Sequence, residues 1–207
     1  MEIKIVNNIA GAKISMDKAA DNTVVITVEE QTEEQTIRLG DVKPGTTVKI
    51  GGREYIVLDH SKDTTAVITK DFWKDMEFGD SGNYAESAVR NALNKEFLSE
   101  VSSAVGVGSI IEHEVDLLAE DGTNEGSSCR DKVSLLTVDL YRRYRKFLPA
   151  YGSWWWTATP YSTEFPHRVC CVGGGGTLSW NSCGYSGGVR PFLILDSSVS
   201  NFSVAES

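Results

Sequence analysis

The stretch from Trp154 to Leu195 most constrains what this chain can fold into, because it has no helical periodicity. Short apolar runs alternate with turns rich in glycine and serine, which predicts strands joined by tight connections. From Phe165 to Gly188 there is no Lys, Glu, Gln, Asp or Met. Small polar residues interleaved with aromatic rings are typical of a contact surface. A pair of glycine-rich hairpins that binds nothing is the alternative interpretation.

Strands are also predicted between residues 46 and 69. Residues 46–50 alternate apolar and polar side chains, Gly51-Gly52 is a two-residue hairpin signal, and residues 53–58 and 65–69 are again β-prone. A turn at residues 61–63 separates the last two runs. The pattern predicts a three-stranded antiparallel meander.

The first forty residues form a separate region in this interpretation. Residues 23–28 are rich in β-branched side chains, which predicts a strand, and the acidic residues 29–35 predict a turn or an exposed hairpin tip. Residues 1–40 are either a small β appendage or the first strands of the main sheet, and residues 41–207 form the main domain.

Two helices are predicted in the middle of the chain. Within residues 83–104, Val89, Leu93, Phe97 and Val101 recur at four-residue spacing, and three alanines are expected on the same face, namely Ala85, Ala88 and Ala92. Either Ser81 or Asn83 is the predicted N-cap. A second helix is predicted at 138–148, with Thr137 as N-cap and Asp139 in its first turn.

The order of these elements predicts an α+β fold. Strands come first, then a helix, a loop at residues 120–130, a second helix, and strands again. We expect mixed, mainly antiparallel sheets in which the late strands complete the sheet that the early strands begin.

Composition argues against two classes of partner. The net charge is −9 and the pI is near 4.9, whereas nucleic acids and anionic membranes attract basic surfaces. No apolar run approaches the roughly 20 residues that span a bilayer. The N-terminus is a poor match to a signal peptide. We expect synthesis in the cytoplasm, with no membrane insertion and no nucleic-acid partner.

Residues that suggest catalysis are few and poorly arranged. The four cysteines show no Cys-x-x-Cys spacing, and Glu112-His113-Glu114 lacks a second histidine four residues later. The glycines at 173–176 are not followed by a phosphate-binding signature. His167 could be drawn as a pair with Cys171 or Cys183, but no orienting carboxylate lies close in sequence. We therefore expect no catalytic residue, no metal site and no cofactor.

Four blocks of the chain resemble, in order, the sequence blocks of one bacterial and phage domain family. Residues 87–98 resemble its Ser-x-hydrophobic-Arg-x-x-Leu-Asn-x-x-Phe helix, and residues 131–137 resemble its next block. Residues 155–160 resemble its Trp-Trp-x-x-(Ser/Thr)-Pro signature, and residues 188–192 resemble its closing Gly-Val-Arg-Pro. On these blocks the chain resembles the C-type-lectin-fold variable proteins of diversity-generating retroelements.

The resemblance implies a C-type-lectin-like fold with a loop-rich C-terminal half that binds ligand, and a variable region at about 154–191. In this family a reverse transcriptase randomises adenines in selected codons, chiefly AAC, and many members sit on phage tails or cell surfaces and bind host receptors. A codon ending in C never encodes Trp, Met, Lys, Gln or Glu. From Phe165 to Val189 only Trp180 belongs to that set, so Trp180 must be a fixed position.

The resemblance also indicates which residues would contact the ligand. We expect rigid anchors at Phe165, Trp180 and Tyr185. The other predicted contacts are Pro166, His167, Arg168, Cys171, Gly173, Gly174, Ser179, Asn181, Ser182 and Gly184. The positions expected to vary are Phe165, Pro166, His167, Cys171, Gly173, Gly174, Ser179, Ser182, Gly184 and Tyr185. Val169, Val172 and Leu178 are expected to be buried, fixed neighbours, and Cys170 either buried or variable.

The implied partner is a protein or glycan receptor, and an oligomer, such as a trimer on a phage tail, would raise avidity. The alternatives are a copper- and thiol-dependent oxidase of the related formylglycine-generating-enzyme fold, which would use Cys170, Cys171 or Cys183, and a structural virion component without a variable ligand.

Overall fold

The computed structural model describes residues 13–18, 24–29 and 37–205. The chain divides into two compact units, residues 1–36 and 37–207. In the first unit, β1 (Lys13–Lys18) pairs antiparallel with β2 (Val24–Glu29). The strand predicted at 23–28 is thus confirmed to within one residue. Except for Glu29, the residues of the predicted acidic turn at 29–35 lie outside the described residues.

The second unit begins with the predicted antiparallel meander. Its strands are β3 (Thr47–Ile50), β4 (Arg53–Ser61) and β5 (Thr64–Thr69), and Ile56 lies opposite Thr47 on one side and Ile68 on the other. The turn at Gly51-Gly52 joins the first two strands as predicted.

Strand β6 (Lys74–Glu77) and a short 3-10 turn (Tyr84–Glu86) lead into helix α1. The helix has three consecutive segments: α-helical Ala88–Ala92, π-helical Leu93–Phe97 and α-helical Leu98–Val105. Its N-cap is Ser87, whose hydroxyl accepts the Arg90 N–H at 3.0 Å. The prediction of Ser81 or Asn83 as the cap is wrong for the helix, although Asn83 caps the preceding 3-10 turn.

The buried face of α1 accounts for its π-helical turn. Val89, Leu93, Phe97 and Val101 are between 0% and 4% exposed, as the spacing predicts. In an α-helix of 3.6 residues per turn, a strict four-residue repeat drifts by about 40° per step. The wider π turn corrects that drift and returns Val101 to the core. Ala92 is buried on this face, but the prediction for Ala88 is wrong because it is exposed.

A short strand, a hairpin and the second helix follow. Strand β7 (Ile110–Ile111) precedes the hairpin of β8 (His113–Asp116) and β9 (Ser128–Asp131). The prediction of a loop at 120–130 is therefore wrong for residues 128–130.

After β10 (Val133–Ser134), helix α2 (Val138–Tyr144) starts at Thr137, whose hydroxyl accepts the Leu140 N–H at 3.2 Å. The predicted N-cap is thus confirmed. Within the described residues, neither helix is long and apolar enough to cross a membrane.

The remaining strands belong to two different sheets. Strands β11 (Trp155–Pro160), β12 (Arg168–Val172), β13 (Leu178–Ser182) and β14 (Ser186–Val189) join β6 in a five-stranded sheet of order β13-β12-β11-β14-β6. Within it only β11 and β14 run parallel.

Strand β15 (Phe192–Asp196) instead pairs with β5, β7 and β10 in a seven-stranded sheet, where β16 (Ser203–Val204) pairs with β3. The α+β architecture with mainly antiparallel sheets is confirmed. The expectation that the late strands complete the early sheet holds for β15 and β16 only, because β11 to β14 build a second sheet.

Adjacent tryptophans on β11 enter two different cores. Successive strand residues point to opposite faces. Trp156 packs against Phe78 in the core that includes the buried face of α1, whereas Trp155 packs edge-on against Tyr141 of α2 in the other. Both rings are at most 2% exposed. Strand β11 therefore ties both layers of side chains to one backbone.

Arg190 occupies the turn where the chain passes from the five-stranded to the seven-stranded sheet, and it is fully buried. Its Nε and Nη2 donate to the Thr69 carbonyl at 3.2 and 2.8 Å, and Nη2 donates to the Lys70 carbonyl at 3.1 Å. The guanidinium lies 4.3 Å from the ring centroid of Tyr151 and 5.0 Å from that of Trp155. Burial lowers its pKa to about 10, so it stays charged at neutral pH.

Replacing Arg190 by Lys should lower the free energy of unfolding by about 3 kcal/mol, because one ammonium cannot serve both carbonyls and both ring faces. Urea unfolding followed by circular dichroism measures the change. Tyr151→Phe is the matched control: it removes only the hydroxyl that accepts Arg190 Nη2 at 3.0 Å and should cost about 1 kcal/mol. Equal losses would show that the carbonyl bonds do not join the sheets.

Candidate ligand-binding surface

The segment that lacks Lys, Glu, Gln, Asp and Met forms the β12–β13 hairpin and the loops beside it. Cys170 lies opposite Trp180 in the hairpin. Strand β12 is buried over most of its length, while β13 is an edge strand whose first three residues are exposed. The edge position explains why side chains of β13 reach solvent.

Four side chains on this hairpin and the adjoining loop form what we call the Arg168 cluster: Tyr161, Phe165, Arg168 and Trp180. The guanidinium carbon lies 3.9 Å from the ring centroid of Trp180, 4.3 Å from that of Phe165 and 5.8 Å from that of Tyr161. Exposed cation–π contacts contribute about 0.5–1 kcal/mol each. The arginine thus orders the rings while Phe165 and Trp180 remain 39% and 40% exposed.

Arg168 has no carboxylate partner within the described part of the chain. The ion pairs found there involve other residues, and no hydrogen bond from its guanidinium is present among the side-chain contacts. In a chain of net charge −9, a half-exposed and unpaired guanidinium is a local site of positive potential. The Arg168 cluster therefore offers ring faces and N–H donors together.

The loop before β12 is held by its main chain. The Phe165 N–H donates to the Ser162 carbonyl at 3.3 Å and the Arg168 N–H to the Phe165 carbonyl at 2.9 Å. The Gly82 N–H donates to the Pro166 carbonyl at 2.6 Å. These three bonds do not depend on which side chains stand at 165–167, although His167 Nδ1 also lies 3.3 Å from the Asp80 carbonyl oxygen.

The turn between β13 and β14 presents the most exposed aromatic ring among the described residues. Tyr185 is 61% exposed, and its N–H donates to the Ser182 carbonyl at 2.9 Å. A Cβ at the neighbouring Gly184 would meet no atom within 4 Å. This turn also has room for other side chains.

The structure sorts the predicted contacts by exposure. The exposed ones are Phe165, Pro166, His167, Ser179, Trp180, Gly184 and Tyr185; the half-buried ones are Arg168, Gly173, Gly174, Asn181 and Ser182. Cys171 contradicts the prediction, because it is 1% exposed and its sulfur accepts from Asn181 Nδ2 at 3.7 Å on the core side of the hairpin.

Two other expectations need correction and two are confirmed. Gly174 cannot carry a variable side chain, because a Cβ there would lie 2.6 Å from the main chain of Gly152. Leu178, expected in the core, is 37% exposed because β13 is an edge strand. Val169 and Val172 are buried as predicted.

Sequence reasoning missed Tyr161. It follows the Trp-Trp-x-x-Thr-Pro block directly, and its ring lies 5.7 Å from that of Trp180 and 6.0 Å from that of Phe165. The sequence did contain a signal for it: an aromatic residue directly after a strand-forming block. Such a side chain lies where the strand leaves the core, next to the surface loops.

Three of the cysteines, Cys170, Cys171 and Cys183, are buried, and burial favours the protonated thiol in each. Cys170 and Cys171 are adjacent on β12, so they point to opposite faces, and burial raises their pKa to about 12 and about 11. Cys183 Sγ lies 4.0 Å from His167 Nδ1, but burial raises the pKa of this thiol as well. A copper site of the oxidase kind needs two convergent thiols, which the Cys170–Cys171 pair does not provide.

His113 is engaged within the fold. Its Nε2 lies 2.9 Å from the Ser134 hydroxyl, its ring packs edge-on against Phe192, and burial lowers its pKa. Among the residues that the structure describes, no three His, Cys, Asp or Glu side chains are grouped to hold a metal ion.

Two glycines near this surface should lose very different amounts of stability when they are replaced by alanine. A Cβ at Gly187 would overlap ring carbons of Trp154 and lie 2.9 Å from Trp156 Nε1, whereas a Cβ at Gly184 would be in open space. Gly187→Ala should destabilise the protein by about 2 kcal/mol or more, and Gly184→Ala by less than about 0.5 kcal/mol. Thermal unfolding of the two variants measures the difference, and similar midpoints would contradict the packing described for Gly187.

Comparison with known families and structures gives one match. A family model described as a domain of unknown function (DUF6273) matches residues 120–197, which is less than half of the chain but includes α2, β11 to β15 and most of the candidate surface. No curated protein and no solved structure matches the chain.

Proposed function

We propose that this protein binds a receptor through a surface diversified by a retroelement, on a C-type-lectin-like fold, and that it acts as a phage tail protein or surface adhesin. One observation carries the proposal. The segment with the restricted residue set supplies the exposed side chains of the hairpin and its loops, while the signature blocks on either side of it are buried.

The buried blocks have the properties that a framework needs. Trp155, Trp156 and Arg190 are between 0% and 2% exposed, and they hold β11, β5 and the turn between the sheets. The buried blocks do not depend on which side chains the proposed variable surface carries, because the loops of that surface are held by main-chain hydrogen bonds. A surface can change its side chains between variants only when the fold does not depend on those side chains.

The surface itself suits recognition of a protein or glycan receptor. Tyr185, Phe165 and Trp180 are large rings with few rotatable bonds, so fixing them in a complex costs little entropy. The hydroxyl of Ser182, on the same face of β13 as Trp180, supplies an adaptable hydrogen bond beside the rings, whereas the side chains of Ser179 and Asn181 lie on the opposite face of the strand. Such anchors typically contribute most of the binding energy at an interface.

Replacing Phe165 and Tyr185 together by Ala should abolish receptor binding but lower the free energy of unfolding by only about 1 kcal/mol, because Tyr185 is 61% exposed and Phe165, which is 39% exposed, loses mainly its contact with the Arg168 guanidinium. Val169→Ala is the control for a core position of the same hairpin and should cost about 2 kcal/mol. A loss of stability in the double variant as large as that of the control would place the two rings in the core instead.

A displayed library tests the diversification directly. Randomising positions 165, 167, 179, 184 and 185 with codons ending in C should leave most clones folded, as judged by resistance to proteolysis. Randomising 169, 172, 174 and 187 in the same way should leave few folded. Equal tolerance at the two sets would contradict a variable surface, as would a gene neighbourhood without a reverse transcriptase and an adenine-rich near-copy of the coding segment for 154–191.

A further inference from the structure

Strand β13 presents unpaired main-chain groups along its outer edge. The Cys183 N–H donates to the His167 carbonyl at 2.8 Å and the Gly173 N–H to the Thr177 carbonyl at 2.7 Å. Residues that exchange hydrogen bonds alternate along an antiparallel pair. The main-chain groups of Leu178 and Trp180 therefore point away from β12, and none of the described strands pairs with them.

This edge lacks the features that usually protect an edge strand. Natural edges carry charges, proline or bulges that prevent another strand from adding. The opposite edge of the same sheet, β6, carries Lys74, Asp75 and Glu77. Strand β13 reads Leu-Ser-Trp-Asn-Ser, without a charge, and its register with β12 has no shift. Its outer edge is therefore open to an extended segment, the mode of recognition called strand addition.

The charge next to this edge indicates what the added strand carries. Arg168 lies on the same face of the hairpin as Trp180, and its unpaired guanidinium extends over the Trp180 ring toward the edge. Neighbouring strands are about 4.8 Å apart, so an added strand would lie roughly 10 Å from β12. A Glu or Asp side chain on that strand, facing the same way as Trp180, meets the guanidinium over the ring.

We propose that β13 accepts an extended segment of a partner protein as an additional strand, and that Arg168 binds an acidic side chain of that segment. The inference rests on the proposed function, since it names the partner class of the same surface. A second copy of this chain fits less well: antiparallel pairing of β13 with itself would bring Leu178, Trp180 and Ser182 to the interface, and none of them is an acid.

A displayed library of short linear peptides, selected on the full-length protein, tests the proposal. The selected peptides should alternate β-branched residues with Glu or Asp. Binding should fall about tenfold or more when the acid is changed to its amide or when Arg168 is changed to Gln, since a charge-assisted hydrogen bond is lost. Arg143→Gln, which removes an exposed arginine paired with Asp59, is the matched control and should leave binding unchanged.

A second measurement separates strand addition from simple charge attraction. On peptide binding, the amide protons of Leu178 and Trp180 should become protected from hydrogen exchange, and N-methylation of the peptide main chain should abolish binding. The proposal is overturned if no peptide is selected, if the selected peptides lack acids, if Arg168→Gln binds them equally, or if these amides are protected in a dimer without peptide. The library randomised at positions 165, 167, 179, 184 and 185 separates the two proposals. If most of its clones still fold while no acidic peptide binds, the proposed partner class is wrong and the proposed diversified surface is not contradicted.

Discussion

The fold depends on a buried guanidinium that is stabilised by carbonyl oxygens and aromatic faces. Arg190 stands where the chain leaves one sheet and enters the other, and it bonds to the main chain at the end of β5 while it packs on the first tryptophan of β11. A buried charge costs free energy unless it is well solvated by the protein. Once made, these contacts fix the position of β14 relative to β15, and thereby the base of the candidate surface.

The second structural requirement is a strand that serves two cores. Strand β11 is central in its sheet, and Trp155 and Trp156 on its opposite faces belong to different cores, Trp155 against Tyr141 of α2 and Trp156 against Phe78. Strand β12, next to it, is buried over most of its length. Strand β13 has one neighbour and an exposed face, so the constraint on side chains weakens from the centre of the sheet toward this edge. The position of the hairpin in the strand order explains why the side chains of its outer strand have the weakest packing constraint in the sheet.

Local signals predicted the local elements well. Alternation, turn residues and four-residue spacing act between near neighbours, and they predicted the meander, the N-cap of α2 and the buried face of α1. The distribution of late strands between two sheets was not predictable, because pairing such as that of Leu193 with Val67 joins residues far apart in sequence. The errors at Cys171 and Leu178 have the same origin: burial depends on whether a strand is central or at an edge. The expectation of a variable side chain at Gly174 was wrong for a related reason. The main chain of Gly152, which leaves no room for a Cβ there, belongs to another segment of the chain.

The position of β15 after the candidate surface has a consequence for truncated chains. The seven-stranded sheet is incomplete until this strand pairs with β5, β7 and β10, and the strand follows the candidate surface in the sequence. A chain that ends within the surface would leave three strands without their partner and expose their edges and apolar side chains. Such a chain would not complete the sheet, whereas a substitution at an exposed position of the surface leaves these pairings intact. The order of elements along the chain therefore makes completion of the fold depend on translation past the surface.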